Sequence, residues 1–223
     1  MLIVHHLENS RSHRILWLLE ELELPYEIKH YKRDPATMSA PDELRAIHPL
    51  GKSPLLEDDG RVFAESGAII EHVLEKYGEG RLQPTEEKEK GYYRFWLHYA
   101  EGSAMPLFVM KLIMNELPSQ GPFLAKPILK AVGAGVTYGY IDKQLKTHLL
   151  FWEQILTYNT YFAGTGFSAA DIQMSFALEA VAQGGGPRKL ATPRSLELLA
   201  RLRERPAHKR AIERGGPLFM PSR

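Results

Sequence analysis

The chain has 223 residues, a length that fits one large domain or two small ones, and its 44% apolar and 25% charged residues are typical of a folded globular protein. The net charge of +1 gives no global field that would attract nucleic acid or an anionic membrane. The absence of cysteine excludes disulfide scaffolds, thiolate zinc sites and cysteine-based redox chemistry. The N-terminus lacks a basic leader with a cleavage site, and no apolar run approaches the ~18 residues that span a bilayer. We therefore expect a cytoplasmic protein that binds no membrane.

The charge changes sign along the chain. Residues 1–79 carry 9 basic and 15 acidic side chains, whereas residues 80–223 carry 19 and 12. The change falls at Gly78-Glu79-Gly80, where glycines also interrupt the chain. We predict a first domain over residues 1–79, a linker over 80–87 and a second domain over 88–223.

Residues 1–79 alternate strand and helix signals. Short apolar runs predict four strands, over Leu2–His6, Tyr26–Lys32, Ser53–Glu57 and Arg61–Ala64. Apolar spacing and helix-start signals predict three helices, over Ser12–Leu24, Pro41–Ile47 and Ser66–Tyr77. The first two strands need a helical crossover and should be parallel, whereas Asp58-Asp59-Gly60 predicts a hairpin between the last two.

The remainder of the chain is predicted to be helical. A long helix over Lys88–Leu117 contains Pro106, which should bend it. After a break at Pro118–Pro122, the segment Phe123–Tyr158 predicts one long helix or two shorter ones. Three further helices are predicted over Ala169–Ala182, Thr192–Arg203 and Pro206–Arg214. The fold class is therefore an α/β domain followed by an all-helical domain.

Phe167-Ser168-Ala169-Ala170-Asp171-Ile172 is the strongest local signal in the sequence. Ser168 can accept a hydrogen bond from the N–H of Asp171, and the carboxylate of Asp171 can accept from the N–H of Ser168. This reciprocal pattern is a capping box. We predict that it serves folding and takes little part in catalysis.

Lys52-Ser53-Pro54 opens the third predicted strand. Proline has no N–H to give to a sheet, so it belongs at the start or edge of a strand. A cis Ser53–Pro54 bond would leave the N–H and C=O of Ser53 facing outward, where an extended peptide can pair with them. The alternative is a trans proline, which base rates alone favour.

Two further motifs place polar groups at the starts of helices. In Glu65-Ser66-Gly67, Ser66 can cap a helix and hold a ligand carboxylate, while Glu65 can accept from an ammonium. Asn9-Ser10-Arg11-Ser12-His13-Arg14 brings hydroxyls and guanidiniums to the positive end of the first helix, which stabilises an anion. For both motifs the alternative is a simple N-cap.

The chain resembles a cytosolic glutathione S-transferase in four segments that span almost its whole length: N-S-R-S-H-R, P-L-G-K-S-P, A-E-S-G-A-I-I-E-H and F-S-A-A-D-I. The resemblance is to the serine-type, bacterial-like, theta-related members. It implies a thioredoxin-like N-terminal domain followed by an all-helical C-terminal domain. It also implies a homodimer and glutathione as cosubstrate, with no other cofactor.

The same resemblance implies a role for each residue that would bind glutathione. Lys52 would help to bind the glycyl carboxylate, and Ser53, before a cis Pro54, would pair with the cysteinyl backbone. Glu65 and Ser66 would hold the γ-glutamyl end.

The serine-type motif selects Ser10 as the catalytic hydroxyl that donates to the glutathione sulfur, with Ser12 and Asn9 as rivals within one turn. A tyrosine type is disfavoured because residues 1–25 contain no Tyr. A free thiol has a pKa of about 8.5, so only a few per cent is thiolate at neutral pH. A hydroxyl donor and a helix end together can supply the roughly 2.7 kcal/mol that lowers this pKa by about two units.

The predicted function is conjugation of the glutathione thiolate to small hydrophobic electrophiles, together with glutathione-dependent peroxidase activity. Tyr99, Met105 and Phe108 are candidates for the electrophile site, although aromatic residues at helical spacing more often form a core. The alternative is a non-catalytic protein on the same fold that binds glutathione or another ligand.

Two other features of the sequence, a basic C-terminal segment and a pair of neighbouring histidines, are typical of nucleic-acid sites and of metal sites. Residues 188–223 hold ten basic and three acidic residues, which we interpret as a solvated helix face rather than a nucleic-acid site. Neighbouring side chains in a strand point to opposite faces, so His5 and His6 should not share a metal ion. We predict no metal and no nucleic-acid partner.

Overall fold

The computed structural model describes residues 1–35, 37–187, 190 and 192–218. The strands are β1 (Leu2–Leu7), β2 (Tyr26–Tyr31), β3 (Leu55–Asp58) and β4 (Arg61–Ala64). The helices of the same part are α1 (His13–Glu21), α2 (Glu43–Ile47) and α3 (Ser66–Tyr77). The order β-α-β-α-β-β-α is the one that the sequence predicts.

The four strands form one mixed sheet in the order β2-β1-β3-β4. β1 runs parallel to β2 and antiparallel to β3, and β3 pairs antiparallel with β4. The hairpin between β3 and β4 turns at Asp59 and Gly60, with φ values of 49° and 76°. Two consecutive positive φ values match the twist of paired strands, which is why Asp-Gly predicts this turn.

The rest of the described chain is helical. The helices are α4 (Glu87–Tyr99), α5 (Met105–Glu116), α6 (Lys126–Val136), α7 (Asp142–Tyr158), α8 (Ala169–Ala180), α9 (Pro193–Arg203) and α10 (Pro206–Gly215). The wider π-helical turn Ala100–Ala104 joins α4 to α5 and ends just before Pro106, whose ring would clash within a regular helix. A second π-helical turn, Thr137–Ile141, joins α6 to α7, so Phe123–Tyr158 contains two helices.

The sheet and the helices share one hydrophobic core. Leu16, Leu18 and Ile69 from the first part belong to the same buried cluster as Trp96 and Trp152 from the helical part. Helix α1 packs against α3, α8 and α10, and every residue from His13 to Glu20 is buried. The turn that precedes α1 is therefore fixed from both parts of the chain.

The basic residues near the C-terminus pair with acidic residues of α1. Arg205 donates two hydrogen bonds to Glu21, at 2.6 and 2.8 Å, and both Arg210 and Arg214 donate to Glu20. These ion pairs tie α10 to α1 and give this part of the basic segment a structural role. The rest of the 188–223 segment includes residues outside those that the structure describes.

Candidate active site

Four polar side chains converge where the turn after β1 meets the approach to β3. The hydroxyl of Ser10 lies 2.8 Å from that of Ser12 and 3.3 Å from that of Ser53. The hydroxyl of Ser12 also lies 2.7 Å from Nδ1 of His6. Ser10, the residue that the serine-type motif selects as the thiol donor, therefore contacts Ser53.

The Ser53–Pro54 peptide bond is cis, the form that the resemblance implies. The side chain of Ser53 is held by β1, because its hydroxyl donates to the carbonyl of His5 at 3.3 Å and accepts from the N–H of Leu7 at 3.4 Å. Among the described residues, the backbone N–H and C=O of Ser53 make no hydrogen bond. They are free to pair with an extended peptide.

Ser66 begins α3, but its hydroxyl does not cap the helix. It accepts hydrogen bonds from Nη1 of Arg14 at 3.3 Å and from Nε2 of Gln173 at 3.1 Å. The predicted capping role of the Ser66 hydroxyl is therefore wrong, because that hydroxyl accepts from Arg14 of α1 and Gln173 of α8 instead. The N-cap position belongs to Glu65, whose side chain makes no capping bond.

Glu65 and Lys52 present exposed side chains, whereas Ser53 is half-buried. Glu65 has φ 71°, a value that non-glycine residues seldom adopt and that proteins tolerate mostly at functional sites. Lys52 follows Gly51, whose own positive φ of 55° turns the chain tightly against Arg45. The structure thus brings Ser10 into contact with Ser53. Among the described residues, Lys52, Glu65 and Ser66 make no hydrogen bond with either of these two serines.

The two guanidiniums predicted at the start of α1 share one carboxylate. Arg11 and the buried Arg14 both pair with Glu101 of the π-helical turn before α5. Part of the positive charge expected there is therefore neutralised. Ser12 occupies the N-cap position of α1, as the alternative interpretation of this motif allows, but its hydroxyl makes no capping hydrogen bond and contacts His6 instead.

The candidates for the electrophile site lie in the hydrophobic core. Tyr99, Met105 and Phe108 are 8%, 4% and 7% exposed. The hydroxyl of Tyr99 accepts from Nε1 of Trp152 at 2.9 Å and contacts His148, and burial raises the pKa of Tyr99 to about 12. Their role toward an electrophile stays a prediction.

The capping box predicted from the sequence is present. The N–H of Ser168 donates to the carboxylate of Asp171 at 2.9 Å, and the N–H of Phe162 donates to the same carboxylate at 2.9 Å. Burial raises the pKa of Asp171 to about 6, although these hydrogen bonds act in the opposite direction. The box fixes the start of α8, and α8 supplies the Gln173 that contacts Ser66.

Sequence reasoning missed three residues that support the site. Glu101 and Gln173 reach it from distant helices, and no local pattern marks such contacts. The sequence suggests His6 only as a metal ligand, and even that is disfavoured. In the structure its ring is 1% exposed and contacts the hydroxyl of Ser12 and the carbonyl of Gly215. Burial lowers the pKa of His6 to about 4, so the ring is neutral at neutral pH.

Within the part of the chain that the structure describes, no group of three or more histidine, aspartate or glutamate residues is arranged to hold a metal ion. None of the helices described is both long and apolar enough to cross a bilayer.

Comparisons with known proteins point to one family. The model of the glutathione S-transferase N-terminal domain matches residues 1–75, and that of the C-terminal domain matches residues 134–213. Glutathione S-transferase 3 of Schizosaccharomyces pombe is 40% identical over 180 residues, which is 80% of this chain and 73% of the relative. Glutathione S-transferase 1 of Saccharomyces cerevisiae is 37% identical over 199 residues, 85% of this chain and 83% of the relative. A solved glutathione S-transferase from Actinobacillus pleuropneumoniae has a TM-score of 0.80 at 31% identity and covers 99% of this chain and 98% of its own.

Proposed function

Because this chain belongs to the glutathione S-transferase family, we propose that it binds glutathione where Ser10 meets Ser53. It is a glutathione transferase, and nothing favours the non-catalytic alternative.

The contact between Ser10 and Ser53 carries the proposal. An extended tripeptide that pairs with the free backbone of Ser53 places its cysteinyl residue beside the hydroxyl of Ser10, 3.3 Å from that of Ser53. Ser12 is fully buried and occupied by His6, so it supports Ser10 rather than replacing it. Asn9 precedes Ser10 in a left-handed conformation, at φ 49°, and helps to turn the chain into the site.

The charged groups of glutathione, two carboxylates and one ammonium, each need a partner of opposite charge or a hydrogen-bond donor. Lys52 supplies a cation for the glycyl carboxylate, and the exposed carboxylate of Glu65 accepts from the γ-glutamyl ammonium. Ser66 contributes through its backbone N–H, because its hydroxyl is occupied by Arg14 and Gln173. The first N–H groups of a helix have no partner within the helix, so the start of α3 can hold the γ-glutamyl carboxylate.

Thiolate formation is the chemical task of the site. A hydroxyl that donates to a thiolate is a charge-assisted bond worth about 1.5–3 kcal/mol, and the start of α1 adds up to about 1 kcal/mol. Their sum covers the roughly 2.7 kcal/mol that lowers the thiol pKa by about two units. The thiolate then attacks an electrophilic carbon and displaces a leaving group or adds to an activated double bond.

The test is conjugation of glutathione to 1-chloro-2,4-dinitrobenzene at neutral pH, with ultraviolet detection of the bound thiolate. We expect acceleration over the uncatalysed reaction and a thiol pKa well below the ordinary value. Tight binding of glutathione without a change in its thiol pKa would contradict this use of the site. Assay with an organic hydroperoxide tests the peroxidase activity separately.

We also propose that the protein is a cytoplasmic homodimer that acts on small hydrophobic electrophiles. Large apolar side chains remain exposed on the helices from α4 to α6: Tyr92, Phe95, Leu112, Ile113, Ile128 and Val132. Contact with a second copy or with an apolar substrate would remove such surface from water. Sedimentation should give a dimer, and Tyr92→Glu should weaken it; a monomer at micromolar concentration would overturn the dimer.

A further inference from the structure

His6 terminates a chain of hydrogen bonds that begins at the proposed thiol donor. Its Nδ1 lies 2.7 Å from the hydroxyl of Ser12, and that hydroxyl lies 2.8 Å from the hydroxyl of Ser10. The exposed fractions of Ser10, Ser12 and His6 are 6%, 0% and 1%. The three side chains form a continuous path from the contact with Ser53 into the protein interior.

The far side of the ring sets the tautomer of His6. Its Nε2 lies 2.8 Å from the carbonyl oxygen of Gly215 at the end of α10, and a carbonyl oxygen can only accept. Nε2 therefore carries a hydrogen, and Nδ1 of the neutral ring accepts from the hydroxyl of Ser12. The other contact of that hydroxyl, to the carbonyl of Leu7, is longer at 3.4 Å and weaker.

The direction of these hydrogen bonds decides what Ser10 can offer a sulfur atom. While His6 is neutral, Ser12 gives it its one proton, and Ser10 gives its own to Ser12. Ser10 then presents only lone pairs outward, which suit a neutral thiol. The hydroxyl of Ser10 also accepts from the N–H of Ser12, at 3.3 Å. To donate to a thiolate and keep its hydrogen bond to the hydroxyl of Ser12, Ser10 must receive a proton from Ser12, and Ser12 must receive one from a protonated Nδ1.

On the basis of the glutathione site proposed above, we propose that His6 takes up the thiol proton through Ser10 and Ser12. The S–H bond breaks, and its proton joins Oγ of Ser10 while Ser10 passes its own proton to Ser12. Ser12 passes its proton to Nδ1 of His6, so both hydroxyls stay neutral and the charges formed are a thiolate and an imidazolium. After the product leaves, His6 returns the proton to solvent. Since His6 touches no substrate, it is a positioning residue.

The groups that face His6 set how readily it takes the proton. His13 from α1 and His30 from β2 lie edge-on to its ring, at 4.7 and 5.6 Å between centroids, and Glu8 follows β1. Burial lowers the pKa of His6 to about 4 in the protein without glutathione, so the ring is unprotonated there and burial opposes its protonation. A thiolate at the other end of the chain supplies the negative charge that retains the proton.

The test counts protons released to solvent when glutathione binds to the full-length protein at neutral pH. Thiolate is measured by its ultraviolet absorbance, and proton release by an indicator in weakly buffered solution. We expect wild type to form thiolate with little proton release. His6→Asn gives Ser12 an acceptor that holds no charge, and Ser12→Ala interrupts the chain. Both should release about one proton per thiolate and show a higher thiol pKa, whereas the exposed His98→Asn should match wild type.

The proton count distinguishes failure of the relay from failure of the glutathione site. Release of about one proton per thiolate by wild type would overturn the relay and leave the glutathione site intact. Glutathione that binds without forming thiolate would overturn the proposed function together with the relay. If His6→Asn and Ser12→Ala both fail to fold, the proton count of wild type still decides.

Discussion

Arg14 of α1 and Glu101 of the π-helical turn before α5 form an ion pair that joins the first part of the chain to the helical part. The guanidinium is 1% exposed in its side chain, and its Nη1 also donates to the hydroxyl of Ser66. The carboxylate of Glu101 takes a second cation, Nε of Arg11, at 2.9 Å. The start of α3, where the γ-glutamyl end of glutathione is proposed to bind, therefore depends on a charge pair in another part of the fold.

Glu101→Ala should destabilise the protein, because it leaves the buried guanidinium of Arg14 without its carboxylate. Removing one partner of a buried pair costs on the order of 3 kcal/mol in the free energy of unfolding. Urea unfolding measures this. Glu87→Ala is the matched control, since Glu87 pairs with Lys90 on an exposed surface and should change the free energy far less. Equal effects of the two substitutions would contradict the structural role of the pair.

Ser10→Ala should remove the donor to the thiolate while leaving the pairing of glutathione with Ser53. We expect kcat/KM to fall about 10- to 100-fold and the thiol pKa of bound glutathione to rise, whereas its Kd should change little. Ser175→Ala is the control, because that buried hydroxyl donates to the carbonyl of Ile172 within α8. A fall in affinity with an unchanged thiol pKa would instead assign Ser10 to binding alone.

Lys52→Met should weaken binding through the glycyl carboxylate without affecting the thiol. We expect KM for glutathione to rise by up to about tenfold, because one exposed charge is lost, with kcat nearly unchanged. The dipeptide γ-glutamylcysteine lacks the glycine, so wild type and variant should use it equally well. The exposed Lys143→Met should resemble wild type with both substrates. An equal loss with tripeptide and dipeptide would show that Lys52 acts elsewhere.

Local signals were enough to predict the secondary structure of the first part and the interruption of regular α-helix near Pro106. The turn at Asp59 and Gly60, the helix Ser66–Tyr77 and the capping box each depend on residues within a few positions of one another. Their physical causes act over the same short range, so the sequence displays them directly.

The supporting contacts of the site could not be predicted in the same way. Arg14 and Glu101 are 87 positions apart, and His6 and Gly215 are 209 apart, so tertiary packing alone brings them together. The same packing overrides the local preference of Ser66 to cap α3, because a buried guanidinium offers its hydroxyl a stronger partner. The ligand contacts that the residue types indicate therefore stay predictions, whereas the hydrogen-bond network behind those residues could be found only from the fold.

Asp58, at the end of β3, is the centre of a hydrogen-bond cluster under α3. Its carboxylate accepts from His72, Lys76 and Tyr77, each at 2.8 Å, and the side chain is 1% exposed. Burial by itself would raise the pKa of Asp58, but the three hydrogen bonds together lower it to about 2. The neighbouring Asp59 is 65% exposed and also pairs with Lys76.

Asp58→Asn should reveal this depressed pKa as a pH-dependent loss of stability. In the unfolded chain an aspartate has a pKa of about 3.9, so between about pH 4 and pH 2 the folded protein binds fewer protons than the unfolded one. The stabilisation is therefore complete well above pH 4 and is lost as the pH falls through about 2, a change of about 2–3 kcal/mol in the free energy of unfolding. The free energy of unfolding of wild type should exceed that of Asp58→Asn by most at neutral pH, and the gap should narrow in acid. Asp59→Asn, at a φ that asparagine readily adopts, should show less narrowing, because the pKa of the exposed Asp59 is lowered less by its pairing with Lys76. A gap for Asp58→Asn that stays constant with pH would mean that its carboxylate is not held ionised by the cluster.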